Sequence, residues 1–171
     1  MFTIKLLNAD EITALYHTHM CSDFPPAELK PLASIINLTT QGIYDCLGLF
    51  EDETLKAYAC LTREKNGQIY LLDYLAVCKP YRNGGYGSKL LGLLKETYSD
   101  AQGLIIEIES LRTSIDDADR LIRTKRLAFY ERNGLIQTDI TTNCFDVEFT
   151  ILYLPITSAY DYDLVRTHLN G

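Results

Sequence analysis

One stretch of this chain constrains its fold more than any other. Residues 68–77 are rich in Leu, Ile, Tyr and Val and read as a strand. The glycine-bearing run Asn83-Gly84-Gly85-Tyr86-Gly87 comes next and opens a helical pattern to about Tyr98. Residues 104–110 are then almost continuously apolar, the pattern of a central strand buried on both faces. A strand that reaches its neighbour through a helix runs parallel to it by a right-handed crossover. The chain is thereby committed to a sheet that carries helices and contains a parallel step.

The remaining segments extend that sheet. Residues 2–7 read as a first strand, and Asn8 or Asp10 caps a helix to about Met20 with Ile12, Leu15, Tyr16 and His19 on one stripe. Pro26 suits the first turn of a second helix, which runs to about Leu38 and turns Leu29, Leu32, Ala33 and Ile36 inward. Pro31 marks a late start or a kink in it. Residues 44–50 and 55–63 pair as strands about the turn Glu51-Asp52-Glu53, and Lys65-Asn66-Gly67 reads as a hairpin turn into 68–77. Residues 116–132 form a long helix with acids first and bases later, matching the helix dipole. Strands at 135–141 and 145–154 and a short helix at 160–169 complete the chain. The order β-α-α-β-β-β-α-β-α-β-β implies an α/β (α+β) fold, a mixed sheet with helices on both faces. The 171 residues suit a single domain, with a core of about 1–154 and a C-terminal extension at 155–171.

Charge and cysteine usage narrow the function. With 16 Lys+Arg against 23 Asp+Glu the net charge is −7, which argues against a nucleic-acid partner. No apolar run approaches transmembrane length and the start lacks a signal-peptide pattern, so no membrane and a cytoplasmic location are expected. Cys21, Cys46, Cys60, Cys78 and Cys144 are odd in number, widely spaced and form no CxxC, which predicts reduced, buried or half-buried thiols and no metal. His17 and His19 end the first helix, and nothing in the sequence ties them or His168 to a cysteine.

The glycine loop is the candidate for chemistry. Glycines let backbone N–H groups approach a ligand, and a helix N-terminus adds unpaired donors and partial positive charge, together an anion site for a phosphate or pyrophosphate. Lys79, Arg82 and Lys89 add positive charge to an otherwise acidic chain. A Walker A loop is excluded because no Gly-Lys occurs, and the dinucleotide pattern fails because its third glycine position is Leu90. The bland alternative is a glycine turn that merely starts a helix. The residues instead read R-x-x-G-x-G as Arg82-Asn83-Gly84-Gly85-Tyr86-Gly87, preceded by Leu75-Ala76-Val77 and Pro80. This resembles the acetyl-CoA-binding loop of the GNAT N-acetyltransferase superfamily. A second segment, Ala128-Phe129-Tyr130-Glu131-Arg132-Asn133-Gly134-Leu135, is similar to that family's helix-ending A-x-x-Y-x-x-x-G-[FL] signature. With the element order, the resemblance covers residues 1–154.

The resemblance implies a GNAT-like fold, acetyl-CoA as co-substrate, and acetyl transfer to a primary amine by direct attack in a ternary complex. It implies that the amides of Arg82, Asn83, Gly84, Gly85, Tyr86, Gly87 and Ser88 grip the pyrophosphate. Leu75, Ala76 and Val77 would pair with the pantetheine arm in a gap beside strand 104–110, and an N–H near Val77 would polarise the thioester carbonyl. Gly92 would pack closely on the sheet. Tyr130 matches the family tyrosine that protonates the departing thiolate. Asp73, Glu107 and Glu109 are the candidate bases or ammonium-binding groups, and the alternative for the two glutamates is a solvated strand end or a salt bridge to an arginine of the next helix. One departure stands out: many members carry an Asn after this strand, and Ser110-Leu111-Arg112-Thr113-Ser114 offers none. Arg123, Lys125 and Arg126 lie within reach of a 3′-phosphate but read first as a solvated helix face. The implied partners are acetyl-CoA and a small-molecule or peptide amine, with a homodimer formed through the final strands and residues 160–169. The rival readings are a non-catalytic acyl-CoA-binding module and transfer of a longer acyl group.

Overall fold

Seven strands form a mixed sheet in the order β1-β2-β3-β4-β5-β7-β6 in the computed structural model, which describes residues 1–63, 68–144 and 146–170. The strands are β1 (Phe2–Leu6), β2 (Tyr44–Glu51), β3 (Thr54–Arg63), β4 (Ile69–Val77), β5 (Gly103–Glu109), β6 (Ile136–Cys144) and β7 (Val147–Pro155). The helices are α1 (Ala9–Leu15), α2 (Leu32–Thr40), α3 (Tyr86–Thr97), α4 (Asp117–Arg132) and α5 (Tyr162–Asn170). The Lys65-Asn66-Gly67 turn and Phe145 lie outside the described residues. The parallel step occurs where expected: Ile69, Tyr70 and Leu71 of β4 face Gly103, Leu104 and Ile105 of β5. The pairs β1–β2, β2–β3, β5–β7 and β6–β7 are antiparallel, and β7 enters the sheet between β5 and β6.

The chain forms two compact units, Met1–Lys65 with Asp73–Leu94, and Asn66–Leu72 with Lys95–Gly171. The first unit has a core that includes Ile12, Leu15, Met20, Ile35, Tyr44 and Tyr58. Its first helix is capped by Asn8: Asn8 Oδ1 accepts from the Glu11 amide at 3.0 Å and Glu11 Oε2 accepts from the Asn8 amide at 2.9 Å. These reciprocal bonds satisfy two donors that a helix start leaves open. After Leu15 the helix widens into one π turn over Tyr16–Met20 and ends at Cys21–Asp23, beyond the expected end at Met20. The wider turn shifts the helix faces, so Met20 is buried, His19 half-buried and His17 exposed. Pro26 sits in a turn rather than a helix. Pro31 caps α2 instead, its carbonyl accepting from the Ser34 and Ile35 amides at 2.9 and 3.2 Å. Ile35 is the buried residue of α2, and Ala33, expected inside, is exposed.

The second unit is built on Ile69, Ile105, Ile140, Ile151, Tyr153 and Val165. Gly103 starts β5 where a Cβ would lie 2.3 Å from Tyr153 Cζ and 2.4 Å from its hydroxyl. That hydroxyl is fixed between the carbonyls of Gln102 and Ser158, each at 3.0 Å, which share its one proton. Gly103→Ala must displace a buried ring with both bonds, so a loss of about 2 kcal/mol is expected, in the range of overpacked cores. Urea unfolding measures it, and an unchanged midpoint would show that the ring relaxes freely. Among the described residues no helix is long and apolar enough to cross a membrane.

Candidate functional site

Everything in the glycine loop starts from the end of β4. After Val77 the chain makes a single 3-10 turn at Lys79–Tyr81, extends at Arg82, and takes left-handed conformations at Asn83 (φ 64°) and Gly85 (φ 80°) before α3 begins. Asn and Gly are the residues that tolerate this backbone. A Cβ at Gly85 would meet nothing within 4 Å, so the constraint there is conformational and the space beside it is open. At Gly84 a Cβ would press on the Tyr86 ring at 2.9 Å and the Tyr81 carbonyl at 3.1 Å. The Lys89 amide is bonded to the Gly85 carbonyl at 3.0 Å. The amides of Tyr86, Gly87 and Ser88 come before it at the helix start, where helix geometry supplies no intrahelical acceptor. Open space over a glycine beside unpaired amides at the positive end of a helix fits a pyrophosphate.

The basic side chains contribute less than their sequence positions suggest. Arg82 donates from Nη2 to Asp23 Oδ1 at 3.0 Å and from Nε to the Val77 carbonyl at 3.2 Å, so its charge is already paired with an almost wholly buried carboxylate. Lys89 Nζ lies 5.1 Å from the Phe2 ring centre, and Lys79 is exposed. The loop is pinned by Lys56 and Glu51, which no motif or spacing singles out. Lys56 Nζ sits 3.7 Å over the Tyr81 ring and 3.7 Å from Glu51 Oε2, and the Tyr86 hydroxyl donates to the same oxygen at 2.8 Å.

Asp73, also in the first unit, is not a free carboxylate. Its Oδ2 accepts from Lys30 Nζ at 2.6 Å and from the Tyr44 hydroxyl at 2.6 Å. Burial, followed by the nearby Cys60 and Asp73, pushes the Tyr44 phenol far above its ordinary range. The Tyr74 phenol is pushed up to about 12, mainly by burial. Tyr74 donates to the Glu28 carbonyl at 2.7 Å and accepts from the Lys30 amide at 2.9 Å, so it holds the loop that carries Lys30.

All five cysteines are free, but only three are withdrawn from solvent: Cys46, Cys60 and Cys78 are buried, whereas Cys21 and Cys144 are exposed rather than buried or half-buried. Cys46 and Cys60 face each other across β2 and β3 with Sγ atoms 3.3 Å apart. The fold also brings His19 Nε2 to 3.9 Å from Cys78 Sγ, a pairing that spacing along the chain did not suggest. Burial raises the Cys78 thiol to about 11, so it stays a thiol at neutral pH.

In the second unit Tyr130 is buried in the last turn of α4 against Phe129, with ring centres 5.1 Å apart. Burial raises its phenol to about 12, opposed only by Arg126, so it is fully protonated at neutral pH. Glu107 is exposed and accepts from Thr142 Oγ1 at 3.3 Å. Glu109 is paired, with Oε2 2.7 Å from Arg123 Nη2 and Oε1 4.0 Å from Arg126 Nη1. Arg123 does not belong to a solvated face. It is buried and also donates to the Ser110 carbonyl at 2.7 Å, Thr113 Oγ1 at 3.2 Å and Asp119 Oδ1 at 3.0 Å. Lys125 and Arg126 do remain exposed. Gly92 is exposed too, and a Cβ there would meet nothing within 4 Å, so close packing is not its reason. Asp73, Leu75, Ala76, Val77 and residues 82–88 thus share the first unit, while Tyr130, Glu107 and Glu109 belong to the second.

Comparison with known proteins agrees with this fold. The chain resembles a GNAT-family protein from Bacteroides thetaiotaomicron (18% identity, TM-score 0.76, covering 98% of this chain and 96% of that one). It also resembles the ribosomal-protein-S18-alanine N-acetyltransferase of Escherichia coli (23%, TM-score 0.66, 95% and 98%). A third solved structure with this fold is an aminoglycoside 6'-N-acetyltransferase in complex with coenzyme A (12%, TM-score 0.65, 92% and 99%). Among curated proteins no sequence matches the chain. The model of the acetyltransferase (GNAT) family matches residues 12–135, a span that holds the glycine loop and Tyr130. The chain belongs to the GNAT family of acetyltransferases.

Proposed function

We propose that this chain is an N-acetyltransferase that moves an acetyl group from acetyl-CoA to a primary amine by direct attack in a ternary complex. The observation that carries the reading is the loop: left-handed backbone at Asn83 and Gly85, open space over Gly85, and a helix N-terminus immediately after. In this reading the amides of residues 82–88 hold the pyrophosphate and the end of β4 from Leu75 to Val77 takes the pantetheine arm, with the Val77 amide polarising the thioester carbonyl. Tyr130 donates to the departing sulfur. Asp73, Glu107 or Glu109 receives the amine's proton or holds its ammonium. Relatives of this fold are named for an alanine of a ribosomal protein and for the 6'-amine of an aminoglycoside, acceptors that share an amine and little else.

Calorimetric titration with acetyl-CoA tests the reading. The expected result is saturable binding, weakened at least about tenfold in Gly85→Glu, which forces a side chain into left-handed backbone and sets a carboxylate beside the phosphates. A Cβ at Gly85 has no neighbour within 4 Å, so the first side-chain atom adds no overlap within the protein itself. Absence of binding, or equal binding by the variant, would refute the proposal. Release of free thiol in the presence of an amine panel separates an enzyme from a non-catalytic binder.

A further inference from the structure

Asp73 already holds a primary ammonium. Lys30 Nζ lies 2.6 Å from Asp73 Oδ2, the Tyr44 hydroxyl donates to the same oxygen at 2.6 Å, and the Tyr74 ring centre is 5.6 Å from the Lys30 nitrogen. The Asp73 side chain is only 17% exposed and that of Lys30 39%. A carboxylate this far withdrawn from water needs a countercharge. Its surroundings supply one phenol hydrogen bond and one aromatic face, which leaves room for one compact cation with N–H donors. The backbone of Lys30 is fixed from both sides, its amide bonded to the Tyr74 hydroxyl at 2.9 Å and its carbonyl accepting from the Tyr16 hydroxyl at 3.0 Å. The aliphatic stem is not fixed in this way. A lysine ammonium swings on four single bonds, so a half-exposed one gives way when a second ammonium takes over the carboxylate. Asp73 also lies on the strand that ends at Val77 and feeds the glycine loop, within the same unit.

We infer that Asp73 and Tyr44 form the seat for the acceptor's ammonium group, and that Lys30 is a tethered occupant which the acceptor displaces. The acceptor class is then a primary amine on an unbranched alkyl chain, since that is the group the seat holds now. Secondary and quaternary amines lack the donors or the compactness to replace it. The inference rests on the proposed acetyltransferase function and adds a specificity-determining residue to it.

The test compares wild type, Lys30→Met and Lys30→Arg, with n-butylamine as acceptor and acetyl-CoA as donor, monitored by release of free thiol. Lys30→Met keeps the unbranched stem and removes the charge. The expected result is a KM for n-butylamine at least about tenfold lower in Lys30→Met than in wild type, the change falling on KM rather than kcat, while Lys30→Arg shows no such gain. A purely structural ion pair predicts a lower melting temperature for Lys30→Met with KM unchanged or raised, and that outcome overturns the inference. So does an absence of acetylated butylamine from every variant when acetyl-CoA still binds by calorimetry. If acetyl-CoA does not bind the wild-type protein, the acetyltransferase reading falls first and takes this inference with it.

Discussion

Tyr130→Phe lowers kcat for acetyl transfer about a hundredfold while leaving acetyl-CoA affinity and melting temperature near wild type, on the scale of losing a general acid. The fold tolerates the change because the ring is retained and no hydrogen bond of the hydroxyl contributes to its state, which is governed by burial and by Arg126. The same burial decides how the hydroxyl acts. A phenol at about 12 that gives its proton to a thiolate near 8.5 does so uphill by about 5 kcal/mol. Tyr130 therefore contributes mainly as a hydrogen-bond donor to sulfur while charge builds there, and transfer completes once the acceptor's own proton has been released. The same value sets the sign of the pH dependence. A group raised to about 12 is protonated throughout the ordinary working range, so Tyr130 imposes no falling limb below about pH 11. Rate rises with pH as the acceptor amine deprotonates and then holds level. Turnover in Tyr130→Phe within twofold of wild type from about pH 6 to 10 would remove the hydroxyl from the chemistry, with the family membership untouched.

What could be read from the chain was local. The glycine loop was legible as a turn of close backbone approach, and the structure adds left-handed backbone there at Asn83 and Gly85. The parallel step was legible because a strand buried on both faces shows as an unbroken apolar run, and residues Gly103–Glu109 form that strand. The contacts that furnish the candidate site join residues distant in sequence: Arg82 with Asp23 across 59 positions, Asp73 with Lys30 across 43, and Asp73 with Tyr44 across 29. No periodicity carries such pairs, because they depend on which strands and loops the tertiary fold sets side by side. Two local signals were also ambiguous. Pro26 and Pro31 both suit a helix start, and only the position of Ile35 against the core selects the second. The π turn at Tyr16–Met20 has no composition of its own, so a regular helix put His19 where Met20 is buried.

Arg123 is the clearest case of a charge whose role only packing decides, and its removal gives the largest expected effect on stability. Along α4 it reads as one base among several on an acidic-to-basic helix, yet its side chain is 9% exposed and its guanidinium touches Glu109, Asp119, Ser110 and Thr113. Taking a charge out of water costs several kcal/mol, and those contacts offset it; taking away only the arginine leaves the carboxylates and the Ser110 carbonyl without it. Arg123→Met, close in length and apolar, is expected to destabilise the protein by about 3 kcal/mol, which for a chain of this size is about 6–12 °C in Tm. Adding Glu109→Gln should restore part of the loss, because the two groups face each other at 2.7 Å and their energies do not add. Simple addition of the two single losses would mean that Glu109 finds its countercharge in Arg126, now 4.0 Å away, and that Arg123 serves Ser110 and Asp119 instead. The double variant also bears on the reaction. A carboxylate locked to a buried guanidinium takes up a proton only by breaking that pair, whereas Asp73 is paired with a half-exposed lysine on a flexible stem. If Arg123→Met with Glu109→Gln folds and still turns over, the proton or the ammonium of the acceptor goes to Asp73 or Glu107, and Glu109 belongs to the architecture of the second unit.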